Sequence, residues 1–272
     1  MNRVAQFLRE RTYLKNVSPR TIEWHQQSLK WLPDELSEST LKDMVLKMRE
    51  AGLKPSSVNC RLRSINAYLK WTGCSINVPK LKEPQNIPST YSVKDISLIA
   101  SHKPKNRRLQ CLLLSLADTG CRISELLALC WEDVNLDDLL ITVKGKGDKT
   151  RTIPFSLELR KHLFKLEQQS KHKLVFATRN GNQMTRRNVL RGLKNLCEGL
   201  NIKMPARGLH AFRHSFASNY IRKGGSPFLL QRALGHSSLT MTRRYVSLCT
   251  EDLQATHQKI SLLSSNGPSV RH

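Results

Sequence analysis

The chain has 272 residues, of which 39% are hydrophobic, and this length allows two modest domains or one large one. No apolar run is long enough to span a bilayer, and the first residues lack the apolar core of a signal peptide, so we expect a cytosolic protein. With 45 Lys and Arg against 21 Asp and Glu, the net charge of +24 indicates a polyanionic partner, either nucleic acid or an anionic membrane.

The distribution of charge and cysteine narrows the class of protein further. Residues 1–84 carry 15 basic and 8 acidic side chains and the rest carries 30 and 13, so the excess is not confined to a tail. This favours a protein wrapped around a duplex, although a ribosomal or chromatin protein has a similar charge. The seven cysteines are scattered, with no Cys-x-x-Cys pair, which predicts reduced thiols in the core rather than disulfides or a thiolate zinc site.

Two helices are predicted in the first 80 residues. Ser18-Pro19 is typical of an N-cap followed by Pro at the first helical position. A second helix is predicted from Pro55, because apolar side chains then recur at helical spacing. Its apolar stripe comprises Val58, Leu62, Ile65 and Leu69.

Three basic side chains of this second helix lie off the apolar stripe: Arg61, Arg63 and Lys70. Each alone fits a solvated surface as well as a phosphate contact. As a set in a chain of this charge, they favour phosphate contact. Residues 73–90 follow with three prolines, and this stretch is the best candidate for a linker between a small helical domain and a larger one.

The larger part begins with a predicted helix capped by Ser92, and the apolar run from Leu109 to Leu116 predicts a core helix. Residues 139–143 are β-like, and a Lys/Gly-rich turn, KGKGDKT, separates them from a second short strand at 151–154, so a hairpin is predicted. Lysines at its tip can reach a DNA groove. The pattern GxxxxGK[ST] is absent and the turn joins two strands, which excludes a phosphate-binding P-loop.

Chemistry-bearing residues cluster in short segments of this part. Arg122 follows Gly120 and Cys121 at a predicted helix start, where an arginine can face a phosphate, although an ordinary exposed arginine fits as well. His210 and Arg213 share a helix face, whereas His210 and His214 have the spacing of metal ligands. The sequence lacks the Glu of an HExxH site and an obvious third ligand, so a zinc site is disfavoured.

The order and spacing of these segments resemble the tyrosine recombinase, or phage integrase, family, and most closely its compact Xer-like members. The resemblance lies in TGCRISELLAL, GKGDKTR, HAFRHSFAS and LGHSS, followed by a tyrosine nine residues after the histidine of LGHSS. The N-terminal stretches SPRTIEWHQQSL and KPSSVNCRLRSINAYLKW resemble the family's core-binding domain more loosely. The positions that match the family's catalytic set are Arg122, Lys146, His210, Arg213, His236 and Tyr245. Cys121 and Ser247 depart from the commoner residues, but neither is a reacting group.

The resemblance implies a mainly α fold with a small antiparallel β-sheet in the catalytic domain, forming a two-domain, C-shaped DNA clamp. It divides the chain into a helical core-binding domain (1–82), a linker (83–91), a catalytic domain (92–258) and a C-terminal tail (259–272). Residues after about Asp252 are the candidate for exchange between protomers. The few residues before Ser18 leave little room for an extra arm-binding domain.

The implied activity is site-specific DNA recombination through a 3′-phosphotyrosine at Tyr245. Arg122 and Arg213 would clamp the phosphate and His236 would hydrogen-bond it, while His210 would be the base or orienting group and Lys146 the acid. The implied partner is a double-stranded recombination site held by a homo-tetramer, with no cofactor or metal and no membrane. The predicted DNA contacts are Arg61, Arg63, Lys70, Lys144, Lys149, Arg151, Arg243 and Arg244. A type IB-like topoisomerase and a non-catalytic DNA-binding protein are the alternatives.

Overall fold

The computed structural model describes residues 3–84, 89–102, 107–145 and 150–235, together with Thr242 and Tyr245. The chain forms two compact units, Met1–Asn86 and Ile87–His272. In the described residues no helix is both long and apolar enough to cross a membrane. The six described cysteines are free; three are buried and three half-buried, so the expected reduced thiols are only partly in the core.

The first unit consists of four helices: α1 (Arg3–Tyr13), α2 (Pro19–Leu29), α3 (Glu38–Glu50) and α4 (Pro55–Trp71). The predicted starts of α2 and α4 are confirmed, each with Pro in the first turn. Ser18 stands at the N-cap of α2, but its hydroxyl contacts the Thr21 hydroxyl at 2.9 Å rather than a backbone N–H. All four apolar residues predicted to share one face of α4 are fully buried, as their helical spacing indicates. Helices α1 and α3 were not predicted.

A second face of α4 binds the chain that follows it. The Asn66 side chain exchanges hydrogen bonds with the backbone of Val78 (2.9 and 3.0 Å), and Asn59 does the same with Leu81 (2.9 and 2.8 Å). An amide carries both a donor and an acceptor, so each asparagine satisfies an extended residue as a β-partner would. The start of the proline-rich stretch therefore belongs to the first unit.

The second unit is mainly α-helical, and its one described sheet has three antiparallel strands in the order β1-β2-β3. Its helices are α5 (Val93–Ser101), α6 (Arg107–Thr119), α7 (Ile123–Leu127), α8 (Leu157–Glu167), α9 (Arg186–Gly199), α10 (Leu209–Arg222) and α11 (Pro227–Leu234). The strands are β1 (Val134–Asn135), β2 (Leu140–Lys144) and β3 (Thr150–Pro154). The predicted hairpin is β2–β3, with Ile141 opposite Ile153. The mainly α fold with a small antiparallel sheet is confirmed.

Helix α6 is the centre of the second unit, because its apolar run is buried on several faces: Leu112, Leu113 and Leu116 are each at most 1% exposed. It packs against α5, α8 and α10. Its last residue, Thr119, donates its hydroxyl to the Ser115 carbonyl at 2.6 Å. The predicted cap of α5 is also confirmed, because the Ser92 hydroxyl accepts from the Asp95 N–H at 3.1 Å. A rigid core thus lies beneath the turn that leads from α6 to α7.

Candidate active site

The turn between α6 and α7 places Arg122 at the surface. Gly120 has φ +63°, and a Cβ there would lie 2.5 Å from the Phe216 ring, so both the conformation and the space require glycine. Arg122 caps α7, with its side chain 36% exposed. Its guanidinium donates to a Glu125 carboxylate oxygen at 2.8 Å and to the Gly235 carbonyl at 3.3 Å. The predicted phosphate ligand is therefore held from behind and remains accessible.

Glu125 is the acidic centre of the site, and the sequence analysis did not identify it. Its side chain is only 3% exposed, yet it accepts hydrogen bonds from Arg122 and a bidentate pair from Arg151 at 2.9 and 2.8 Å. Burial alone would raise the pKa of the Glu125 carboxyl, but the hydrogen bonds of Arg151 and Arg122 outweigh burial and lower it. The only sequence signal for Glu125 is its position one helical turn after Arg122.

Arg213 lies deeper, on α10, and is 5% exposed. Its guanidinium donates to the Gly120 carbonyl at 2.7 Å and to the Leu234 carbonyl at 2.6 Å. Burial, followed by the charge of Arg122, lowers the pKa of Arg213 to about 10, which still leaves it cationic at neutral pH. Arg213 therefore joins the turn before Arg122 to the end of α11, and the structure brings the two predicted phosphate ligands together.

Arg151, a predicted DNA contact, is held by protein partners. Its side chain is 14% exposed, and all three guanidinium nitrogens donate to protein: two to Glu125 and Nε to the Ala233 carbonyl at 2.9 Å. These three contacts use three of the five N–H donors of the guanidinium and hold it against protein. The DNA contact of Arg151 stays a prediction, and its observed partners lie inside the site.

His210 stands in the first turn of α10 and is exposed. Desolvation of its imidazole lowers the pKa of His210, and the charges of Arg213, Arg186 and Arg207 lower it further. A pKa below the ordinary value of 6.5 means that the ring is neutral at pH 7 and able to accept a proton. This protonation state suits the base predicted at this position.

The Tyr245 hydroxyl lies against His214, one turn further along α10. The distance from the His214 Nδ1 to the Tyr245 Oη is 2.7 Å, and the two residues are 7% and 3% exposed. In the sequence His214 has metal-ligand spacing to His210, with an ordinary capped or core histidine as the alternative. In the described part of the chain no three His, Cys, Asp or Glu side chains could hold a metal ion, and the His214 Nδ1 is engaged by the tyrosine. The structure thus adds a histidine to the predicted surroundings of the nucleophile.

The remaining predicted residues lie at the surface or outside the described chain. Arg63, Lys70 and Lys144 are exposed, and Arg61 is half-buried with its guanidinium on the Ser57 carbonyl at 3.2 Å. Their DNA contacts stay predictions. Five predicted site residues lie outside the described residues, and their roles also stay predictions: Lys146, Lys149, His236, Arg243 and Arg244.

A further basic group borders the site and was missed. Arg186, Arg187 and Arg191 are exposed along the start of α9, and Arg186 acts electrostatically on His210. Cations at a helix N-terminus lie at the positive end of the helix dipole, and an anion bound there would offset this repulsion. The signal in the sequence was the spacing RRxxxR, which places the three arginines on neighbouring turns.

Residues 90–251, more than half of the chain, match the phage integrase family. The chain belongs to the phage integrase family. This family member is 28% identical over 265 residues to tyrosine recombinase XerA of Pyrococcus furiosus, covering 93% of this chain and 92% of the relative. It is 29% identical to XerA of Thermococcus kodakarensis, with 92% of each chain covered.

Among solved structures, a Tn1549 transposon integrase in complex with a circular intermediate DNA has a TM-score of 0.76 at 21% identity, covering 90% of this chain and 94% of that chain. At 21% identity, this structural similarity supports the fold of the chain and no further property. The predicted family and its Xer-like character are confirmed, as is the enzyme class, a tyrosine site-specific recombinase.

Proposed function

We propose that this tyrosine recombinase cuts and rejoins DNA at defined sites through a covalent 3′-phosphotyrosine at Tyr245. The observation that carries the proposal is the convergence of Arg122, Arg213 and the Tyr245 region. The Glu125 carboxylate holds Arg122, and the Gly235 and Leu234 carbonyls at the end of α11 accept from Arg122 and Arg213. The Tyr245 hydroxyl contacts His214 of α10, the helix that carries Arg213. DNA as the partner is supported by the Tn1549 integrase, which is bound to DNA in its structure.

In the cleavage step the Tyr245 oxygen forms a bond to phosphorus and the bond from phosphorus to the 5′-oxygen breaks. The tyrosine proton leaves for a histidine, and Lys146 donates a proton to the 5′-oxygen, so charge and protons balance. His210 is the predicted base or orienting group, and His214 is the imidazole that contacts the Tyr245 hydroxyl, at 2.7 Å. A phenol has a pKa of about 10 in water, so loss of its proton needs both a base and nearby positive charge. The energy of the broken phosphodiester bond is conserved in the phosphotyrosine bond, so rejoining needs no ATP.

Two arginines replace the charge that metals supply in other phosphoryl-transfer sites. The non-bridging oxygens gain negative charge in the transition state, and Arg122 and Arg213 present guanidiniums that can bind these oxygens. Glu125 compensates part of this positive charge. His236 would add a hydrogen bond to a phosphate oxygen. The described residues therefore fit metal-free phosphoryl transfer.

Recombination requires two duplexes, and we propose that four protomers hold them in a tetramer. The first unit would serve as the core-binding domain and the second as the catalytic domain. Residues after about Asp252, including the tail 259–272, would pass between protomers. With a net charge of +24, the protein would reside in the cytoplasm on the nucleoid.

A nicked suicide substrate tests the function. Loss of the short strand prevents rejoining, so a recombinase accumulates as a covalent adduct with DNA. Sequencing the trapped DNA identifies the target site. Absence of any adduct contradicts the proposal, and an adduct with DNA relaxation but no site-dependent exchange identifies a topoisomerase instead. The names of the relatives support exchange.

Lys146→Ala should slow cleavage by about 10²- to 10⁴-fold, because an alkoxide without a proton is a poor leaving group. A substrate with sulfur at the scissile 5′-bridging position should restore the rate, since a thiolate leaves without a proton. Single-turnover cleavage of both substrates measures the effect. Lys144→Ala is the matched control from the same hairpin, and it should show no sulfur-specific rescue. If sulfur does not rescue Lys146→Ala, Lys146 is not the acid.

Arg186→Gln and Arg187→Gln should each weaken DNA binding and reduce the slope of log K against log salt by about 0.9, the value for one lost phosphate contact. The expectation follows from their unfavourable placement at the start of α9. Fluorescence anisotropy over a range of salt concentrations measures the slope. Lys194→Gln is the control, because Lys194 lies on the same helix but 3.7 Å from the Glu198 carboxylate. An unchanged slope in both arginine variants would exclude α9 from the interface.

A further inference from the structure

Arg151 connects three segments of the second unit that are distant in sequence. From β3 it donates both terminal nitrogens to Glu125, in α7, and its Nε to the Ala233 carbonyl, in α11. Its side chain is 14% exposed and that of Glu125 only 3%. A bidentate arginine–carboxylate pair has a fixed planar geometry, so the three segments are held in one arrangement.

Arg151 shares one partner with Arg122, the Glu125 carboxylate, and lies against the residue that supplies the other. Glu125 accepts from the Arg122 guanidinium at 2.8 Å and from the Arg122 N–H at 2.8 Å. The second support of Arg122 is the Gly235 carbonyl, two residues after Ala233. Gly235 has φ +63°, and a Cβ there would lie 3.2 Å from the Arg151 Cζ, so the Arg151 guanidinium packs against this residue. Both supports of Arg122 therefore depend on Arg151.

Charge gives Arg151 a second effect. Without Arg151, the buried Glu125 would have Arg122 as its nearest cation, and the pair would neutralise each other. Arg151 shares both carboxylate oxygens with Arg122, so two guanidiniums face one carboxylate and a net positive charge remains available to a phosphate. Together with Arg213, the cluster has three guanidiniums and one carboxylate, an excess of positive charge where negative charge would develop.

We propose that Arg151 is a positioning residue for phosphodiester cleavage: it neutralises Glu125 and fixes the end of α11, so that Arg122 presents its guanidinium to the scissile phosphate. The inference rests on the proposed function, because it acts through the phosphate ligand Arg122. If Arg151 acts in this way, the effect of replacing it depends on the negative charge of the scissile phosphate. Replacing a residue that merely stabilises the fold has no such dependence.

The test compares a phosphate with a methylphosphonate at the scissile position, where a methyl group replaces one charged oxygen. On phosphate, Arg151→Met should slow single-turnover cleavage at saturating DNA by about 30-fold, within the range expected for a misplaced catalytic group, and Arg151→Lys by less. On methylphosphonate, Arg151→Met and Arg122→Ala should each come within about threefold of wild type, because the charge that Arg122 neutralises is gone. On phosphate, the double variant should be no slower than Arg122→Ala.

Two further variants separate positioning from stability. Glu125→Gln combined with Arg151→Met should recover part of the rate, since it removes the uncompensated carboxylate. Arg160→Met is the matched control: Arg160 also donates to a main-chain carbonyl, that of Leu136 at 2.7 Å, and lies 3.5 Å from the Asp137 carboxylate. Its loss should leave the ratio of the two substrate rates unchanged.

The possible outcomes separate the two proposals. If Arg151→Met slows both substrates equally, or its effect adds fully to that of Arg122→Ala, Arg151 is only structural and the inference is wrong. If Arg151→Met does not fold, the same comparison is made with Arg151→Lys, which keeps the charge but loses the bidentate pair. If Arg122→Ala cleaves phosphate at the wild-type rate, Arg122 is not a phosphate ligand and the inference is wrong; if the wild-type protein forms no covalent adduct, the proposed function fails instead.

Discussion

Tyr245→Phe abolishes the covalent adduct on a nicked suicide substrate, with an expected loss of at least about 10³-fold, because phenylalanine keeps the ring but lacks the attacking oxygen. The ring is 3% exposed and packs against Leu230 and Leu234, so the variant should keep the fold. The hydroxyl lost is the partner of the His214 Nδ1, and its loss should lower the free energy of unfolding by about 1 kcal/mol.

Denaturing gels of the trapped complex measure the adduct, and fluorescence anisotropy should show unchanged DNA affinity. Tyr220→Phe is the matched control, since Tyr220 is partly buried against the same cluster and should form the adduct at the wild-type rate. If Tyr245→Phe still forms the adduct at the wild-type rate, another residue is the nucleophile.

The second large effect is expected at Arg213. Arg213→Lys keeps a positive charge but cannot bond the Gly120 and Leu234 carbonyls in the same fork geometry. Cleavage should fall by about 10²- to 10³-fold, the cost of removing one preorganised donor to a developing oxyanion. Stability should fall by about 1–3 kcal/mol, because a buried carbonyl is left without its donor.

Two measurements separate the loss of stability from the loss of cleavage rate. Thermal unfolding gives the stability, and single-turnover cleavage is measured at a temperature where the variant is folded. Arg207→Lys is the control. Arg207 is exposed and, like Arg213, lowers the pKa of His210 through its charge, but it is not one of the two proposed phosphate ligands. If Arg213→Lys cleaves DNA at a rate within a few-fold of wild type, Arg213 is not a ligand of the scissile phosphate.

Much of the fold follows from local patterns. The 3-4-3-4 stripe of α4 predicts its buried face, and the apolar run of α6 predicts a core helix, because each pattern depends only on residues within a few turns. The hairpin β2–β3 follows from two β-like stretches flanking a Gly-containing turn. Helices α1 and α3 were not predicted; α1 buries only Phe7, whereas α3 buries Leu41, Met44 and Met48 at helical spacing that the sequence already contains.

The set of reacting residue types was also evident in the sequence, through the motifs around Arg122, His210 and Tyr245. What the motifs do not contain is the set of partners that orient these residues. Arg151 resembled a DNA-binding arginine because it follows a lysine-rich turn, and nothing near it in sequence indicates a carboxylate 26 residues away. His214 had the spacing of a metal ligand, and its tyrosine partner is 31 residues away.

The family, the helical class and the residue types of the site can thus be predicted from the chain. The protein partners of Arg122, Arg151 and Arg213 become visible only in the folded protein. The physical reason is that a buried charge must find its partner wherever the fold places one. Arg213 and Glu125 are buried and Arg151 is half-buried, so long-range contacts determine their roles, whereas the more exposed Arg122 is supported from behind and left accessible.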